Sequence, residues 1–256
     1  MEADLTQALR GAAQPPAPAS PLPLQTLLVA GAGGTLGSAI LAEALVAGRF
    51  QRVTAVVDGA LASAMRGFGT LSRTRLDSGA ALDADTAFVV FERARHSNGR
   101  DDAFHRPDPA QLLPLAQALR RGGVQRLIVV VPHAPALLPQ ALKSGFASRD
   151  EAAVGALGFE HLVLVRAAQD GAGSGGGSGL ERFAAWWLSQ LRWMVPQREQ
   201  PVRAVTLAAC VVRLARALPR AAPGSRVLPP EALWQAAQGP AAELALDAWL
   251  HASRPG

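Results

Sequence analysis

The 256-residue sequence predicts an α/β fold, a doubly wound and mostly parallel sheet followed by a small C-terminal helical lobe. Three observations predict it. From Leu24 to Arg166 short apolar runs alternate with helical patterns, as buried strands joined by crossover helices do. The first apolar run opens into a glycine-rich turn and an alanine-rich helix, LLVAGAGGTLGSAILAEALVAG at 27–48. Beyond residue 168 the strand-like runs give way to helical periodicity.

The elements follow in order. LQTLLVA (24–30) reads as the first strand and residues 35–48 as the first helix. RVTAVVD (52–58) is the second strand, and a short third is expected near Arg73–Asp77. TAFVVF (86–91) is the fourth. PDPAQLLPLAQALRRGG (107–123) is a helix capped by Asp108 and stopped by two glycines. VQRLIVVV (124–131) is the fifth strand, 139–157 a helix, and HLVLVR (161–166) the sixth strand. Four parts result: a disordered Pro/Ala-rich extension (1–23), a nucleotide-type α/β domain (24–168), a Gly-rich loop (169–180), and a helical lobe (181–256) packed on the same domain. The lobe has helices at 181–195 and 205–218, closed by VLPPEALWQAAQ. Trp186, Trp187 and Trp193 lie in it, and because adjacent tryptophans cannot share one helix face, one of them is expected at a partner surface.

Composition narrows the function classes. Hydrophobic residues make up 49% of the chain, enough for a full core. The net charge is +5, but the basic residues are scattered, and the tightest group, Arg213, Arg216 and Arg220, reads as a solvated helix face. No nucleic-acid partner is expected. The apolar stretch at 24–48 is interrupted by glycines and Glu43, so no membrane partner is expected either. Met1 is followed by Glu2 and Asp4, unlike a secretory signal, and Cys210 is the lone cysteine; a cytoplasmic protein without disulfide follows. The histidines His96, His105, His161 and His251 show no metal-ligand spacing, so no metal is expected.

The glycine turn is the most informative motif. Gly31, Gly34 and Gly37 form G-x-x-G-x-x-G, with Gly33 adding a further gap, directly after a strand and at the start of a helix. Residues without Cβ let backbone amides approach a pyrophosphate at the positive end of that helix. Asp58 ends the second strand about 20 residues further on, where an acidic side chain accepts hydrogen bonds from an adenosine ribose. Gly31, Gly33, Gly34, Thr35, Leu36, Gly37 and Asp58 are therefore the expected coenzyme-binding residues of a Rossmann domain. The coenzyme is NAD or NADP, with NAD favoured by Asp58.

The chain resembles the atypical short-chain dehydrogenase/reductase family, and within it the branch of the Tat-interacting oxidoreductase. The resemblance runs from about Leu27 to Trp234. It rests on GAGGTLGSAILAEALVAGRFQRVTAVV, DTAFVVF, LLPLAQALRRGGVQRLIVVV and EAAVGALGFEHLVLVR. It implies NAD(P) held by Gly31, Gly34 and Gly37. The family's catalysis uses a serine after the fifth strand and a Tyr-x-x-x-Lys on the next helix, whose tyrosine protonates the substrate carbonyl. This chain has no tyrosine. Aligned back from EAAVGALGF, Lys143 stands at the tyrosine position, Ala147 at the lysine position, and Val131 or Pro132 at the serine position. The family's Arg-Pro after the sixth strand is Arg166-Ala167. Glu92 follows Phe91 where the family ends its fourth strand on a small residue, and a carboxylate facing the turn would repel a pyrophosphate.

Three readings follow: a dinucleotide-binding sensor or scaffold without hydride chemistry, a divergent oxidoreductase acting on a small carbonyl or alcohol, and a non-binding interaction module. The first is preferred. Under the second, the proton donor is water, the substrate, His133 beyond the fifth strand, or Lys143, the chain's single lysine.

Overall fold

The computed structural model describes residues 25–59, 61, 65–92, 101–133, 148–168, 203–237 and 242–252. Strand β1, Gln25–Ala30, delivers the chain into the glycine turn and helix α1, Gly34–Val46. Strands β2 (Phe50–Val57) and β3 (Phe68–Ser72) follow, then a short helix α2 (Arg73–Asp77) and β4 (Thr86–Val90). A 3-10 turn, Pro109–Gln111, leads into helix α3, Leu112–Arg121, with Asp108 accepting a hydrogen bond from the Ala110 amide. Next come β5 (Arg126–His133), α4 (Arg149–Gly155), β6 (His161–Ala168) and α5 (Ala204–Ala217). Strand β7 (Gly224–Leu228) and helices α6 (Pro230–Ala236) and α7 (Ala242–Ala252) close the described chain.

The seven strands form one sheet in the order β3-β2-β1-β4-β5-β6-β7, and every pairing is parallel. The chain winds outward from β1 through β2 to β3, then crosses back to place β4 on the other side of β1. The strand order therefore reverses at the carboxyl ends of β1 and β4, the crevice where such sheets bind ligands.

Alternation within the strands fills two cores. Leu27, Val29, Phe88, Val90, Ile128, Val130, Val163 and Val165 face Leu36 and Ile40 of α1 and Leu207 and Val211 of α5. Leu28, Ala30, Val89, Leu127, Val129 and Leu164 face Leu115 and Leu119 of α3 and Val154 of α4. Helix α1 lies directly against α5. Each such side chain contributes about 1.5–3 kcal/mol when fully buried, so the central strands read as near-continuous apolar runs.

Three features depart from the sequence reading. The third strand is Phe68–Ser72, and Arg73–Asp77 is a helix: Ser72 Oγ accepts the Arg75 amide, and the Arg73 Nε lies 2.8 Å from Asp77 one turn on. The half-exposed edge strand lacks the burial alternation that would have marked it. The fifth strand extends to His133, two residues beyond the expected end, because its last residues pair with Arg166, Ala167 and Ala168 of a β6 that is itself longer. Finally, Gly224–Leu228 adds a seventh strand within the C-terminal third, anchored by the Gly224 amide donating to Glu160 O. The expected helix at 205–218 is present as α5, and the described part of the one expected at 139–157 is α4, while residues 139–147 with Lys143, Trp186, Trp187 and Trp193, the extension and the Gly-rich loop lie outside the described residues.

Candidate functional site

The glycine turn sits at the strand-order reversal, as its motif predicts, and its glycines have identifiable neighbours. Gly31 has φ +89°, and a Cβ there would come within 2.2 Å of Val90 O on β4. A Cβ on Gly37 would come within 2.0 Å of Gly31 O, so this glycine lets α1 start directly against the turn. Gly33 precedes the helix in an extended conformation and, having no side chain, gives it no cap. The first-turn amides of α1 therefore need an acceptor from elsewhere.

Glu92 supplies it. This residue lies two positions beyond β4, and its carboxylate reaches across to the helix start. The Thr35 amide donates to Oε1 at 3.2 Å, while the Leu36 and Gly37 amides donate to Oε2 at 3.0 and 3.4 Å. A Cβ on Gly34, whose φ is +80°, would lie 2.6 Å from the same Oε2. Charge-assisted hydrogen bonds and the helix dipole both favour an anion there. The chain's own carboxylate thus occupies the position at which a diphosphate would meet those amides. The sequence left the direction of Glu92 open; the structure turns it inward.

Asp58 stands one residue past β2, at the carboxyl edge beside β1. It too is engaged. His105 Nδ1 lies 2.9 Å from Asp58 Oδ1 and 3.1 Å from Oδ2. On the ring's other side Nε2 meets Arg73 Nη1. A guanidinium can only donate, so Nε2 accepts and Nδ1 carries the proton given to Asp58. Arg73 is in turn held by Asp77 and by Gln111 Oε1 at 3.4 Å. His105 is 7% exposed, buried by backbone pairing: its amide donates to Val56 O at 2.9 Å and the Asp58 amide donates to Ala103 O at 3.0 Å. Phe104 forms an antiparallel bridge with Val57. Sequence reasoning considered His105 only as a metal ligand and missed this role. Nothing local could have revealed it, because the contact depends on residues 103–105 folding back along β2.

Among the expected site residues, the structure brings Gly31, Gly33, Gly34, Thr35, Leu36 and Gly37 together at one helix start, with Asp58 at the neighbouring strand end. His133 is the last residue of β5, paired in register with Ala168. Arg166, at the carboxyl end of β6, is buried and bonded through Nη2 to Glu151 Oε2 at 2.9 Å, which ties that strand end to α4. Cys210 is buried on α5, its thiol 3.5 Å from Ala236 O, and burial raises its pKa. Among the described residues no group of His, Cys, Asp and Glu is arranged to hold a metal ion, and no helix is long and apolar enough to cross a membrane.

No protein-family model matches the chain, and no curated protein matches it significantly in sequence. Similar solved structures include the Citrobacter sp. triphenylmethane reductase complexed with NADP(H), at 15% identity and a TM-score of 0.47, covering 74% of this chain and 65% of that one. The Bordetella bronchiseptica enzyme WbmH in complex with NAD+ is similar at 12% identity and a TM-score of 0.43, covering 91% and 83%. Uronate dehydrogenase from Agrobacterium tumefaciens is similar at 17% identity and a TM-score of 0.39, covering 57% and 61%. At these scores none lends its chemistry to the chain. The fold rests on the chain's own strand order.

Proposed function

We propose that this chain binds NAD or NADP at the β1–α1 turn and acts as a dinucleotide-responsive sensor or scaffold of the atypical short-chain dehydrogenase/reductase type, nearest in kind to the Tat-interacting oxidoreductase branch. One observation carries the reading. Three successive amides, those of Thr35, Leu36 and Gly37, converge on an oxyanion at the crevice where the strand order reverses. The oxyanion here is Glu92, so the amides fit a diphosphate and Glu92 as placed does not. The turn amides would hold the diphosphate and Asp58 the ribose hydroxyls, with NAD favoured. The coenzyme would supply hydride, but the chain has no tyrosine to protonate a carbonyl, and hydride transfer of the family's kind is not expected.

Tryptophan emission tests this, since the chain has five tryptophans and no tyrosine. Bound NADH or NADPH should quench it, without turnover over a panel of carbonyl substrates. Absence of quenching at millimolar coenzyme, in the native chain and in Glu92→Ala alike, rules the reading out.

A second reading, a non-binding interaction module on a closed Rossmann shell, draws on the same contact. Gly31 and Gly37 are accounted for by backbone packing and Gly34 by Glu92, so the turn is fully used without a ligand. Its partner surface would then lie at the Trp186, Trp187 and Trp193 segment.

A further inference from the structure

The two occupied positions in the cleft belong to one connection, the chain between β4 and α3. Glu92 opens that connection and sits on the first turn of α1. Residues 103–105 lie further along it and run antiparallel to the end of β2, with His105 on Asp58 and Arg73 behind the imidazole. Pro107 is buried close to the turn, its Cδ 3.3 Å from where a Cβ on Gly31 would stand. Glu92 thus lies at the carboxyl end of β1, and residues 103–105 at the carboxyl end of β2. Together they offer a carboxylate to the amides that await a diphosphate and an imidazole N–H to the carboxylate that awaits a ribose.

We propose that the described parts of this connection, Glu92 and residues 103–107, form an internal strap: Glu92 and His105 stand in for the diphosphate and the ribose, keep the cleft closed in the free protein, and must both let go for a dinucleotide to enter. The proposal rests on the dinucleotide reading above and adds its regulation. The two anchors are chemically independent. Glu92 competes directly, because one set of amides cannot serve a carboxylate and a diphosphate together, and two anions there repel. His105 competes by using the Asp58 oxygens that ribose hydroxyls would need. The remaining Arg73 contacts, to Asp77 and Gln111, hold the closed arrangement from behind.

Two measurements on the full-length chain separate this proposal from the reading beneath it. Hydrogen exchange of the Thr35 and Leu36 amides reports the strap without any ligand, since the amides at the second and third helical positions have no partner within their own helix. Titration with NADH reports the cleft. In Glu92→Ala these amides should exchange faster by about tenfold and NADH should bind more tightly by about tenfold, the scale of a lost charge-assisted contact. His105→Ala should tighten binding by about threefold without altering exchange at Thr35 and Leu36. Glu92→Gln keeps an acceptor and the side-chain volume, so it should fold as the native chain does and bind at an intermediate strength. If the native chain binds NADH and neither Glu92→Ala nor Glu92→Gln binds it more tightly, the strap is wrong and the dinucleotide reading stands. Faster exchange in Glu92→Ala with no NADH bound by any variant overturns the dinucleotide reading, and the strap as its regulator with it.

Discussion

The β1 and β2 ends of the carboxyl edge and the amino edge of the sheet treat polar groups in opposite ways. At the carboxyl edge the turn amides, Asp58, His105 and Arg73 are all paired with one another or with the β4–α3 connection. At the amino edge Asp85 ties three strands together, accepting from the Thr26 amide at 3.0 Å, from Thr86, and from Arg126 Nη1 at 3.0 Å. Yet polar atoms there are buried without hydrogen-bond partners: Gln25 Oε1, Arg126 Nε, His161 Nδ1, and Nε and Nη1 of Arg226. Loops that carry function ordinarily leave polar groups open for a ligand, and the structural edge is ordinarily the satisfied one. The inversion teaches that a closed cleft can be closed by its own side chains. Under the proposed function it also separates the molecule into an edge whose polar groups would bear mainly on binding and an edge whose polar groups would bear mainly on stability.

The largest test of that separation is steric. Gly37→Ala would drive a methyl into Gly31 O, and backbone on both sides cannot yield. A loss of about 3 kcal/mol or more is expected, read as a lowered urea midpoint. Such a loss confines the functional edge's contribution to stability to its backbone.

Next is Asp85→Ala, which releases the Thr26 amide, Thr86 and Arg126 together. It should cost about 2–3 kcal/mol in urea unfolding and leave NADH affinity unchanged. An altered affinity would break the division between the edges.

His161 gives a pH test of the amino edge. Burial is the main cause lowering its pKa below 6.5, Arg126 and Arg226 add to it, and Glu160 opposes them. The folded chain therefore takes up a proton on His161 less readily than the unfolded chain, which does so near pH 6.5. The stability this residue contributes is present above pH 6.5 and is lost as pH falls below it, by at most about 1.4 kcal/mol per pH unit. Melting temperature should decline from pH 7 to pH 5, and His161→Gln should flatten that decline.

The smallest effect is the stability change in Glu92→Ala. Losing a cap on α1 should cost only about 1 kcal/mol in thermal or urea unfolding, comparable with the roughly tenfold change expected in amide exchange at the turn. A loss matching that of Asp85→Ala would mean that Glu92 is part of the framework, and the edges would not differ in kind.

Much of this architecture was legible in the chain. The central strands β1, β2, β4, β5 and β6 are apolar runs because both their faces are covered, and that pattern survives without knowledge of the neighbours. Strand β3, at the sheet edge and half exposed, has no such pattern, and its successor Arg73–Asp77 was mistaken for it. Strand β7 holds Arg226 and is followed by Pro229 and Pro230, so GSRVL carries little strand signal; only pairing with β6 makes it one. The glycine turn was legible because φ near +80–90° and close backbone approach demand glycine locally.

The sequence by itself determined the parallel sheet, the turn at its reversal point, and the absence of any tyrosine. These are matters of local conformation and residue inventory, both written along the chain. Tertiary structure alone decided that Glu92 turns inward and that His105 rests on Asp58. Those contacts join residues dozens of positions apart, and their geometry comes from Glu92 and residues 103–105 lying back over strands already in place.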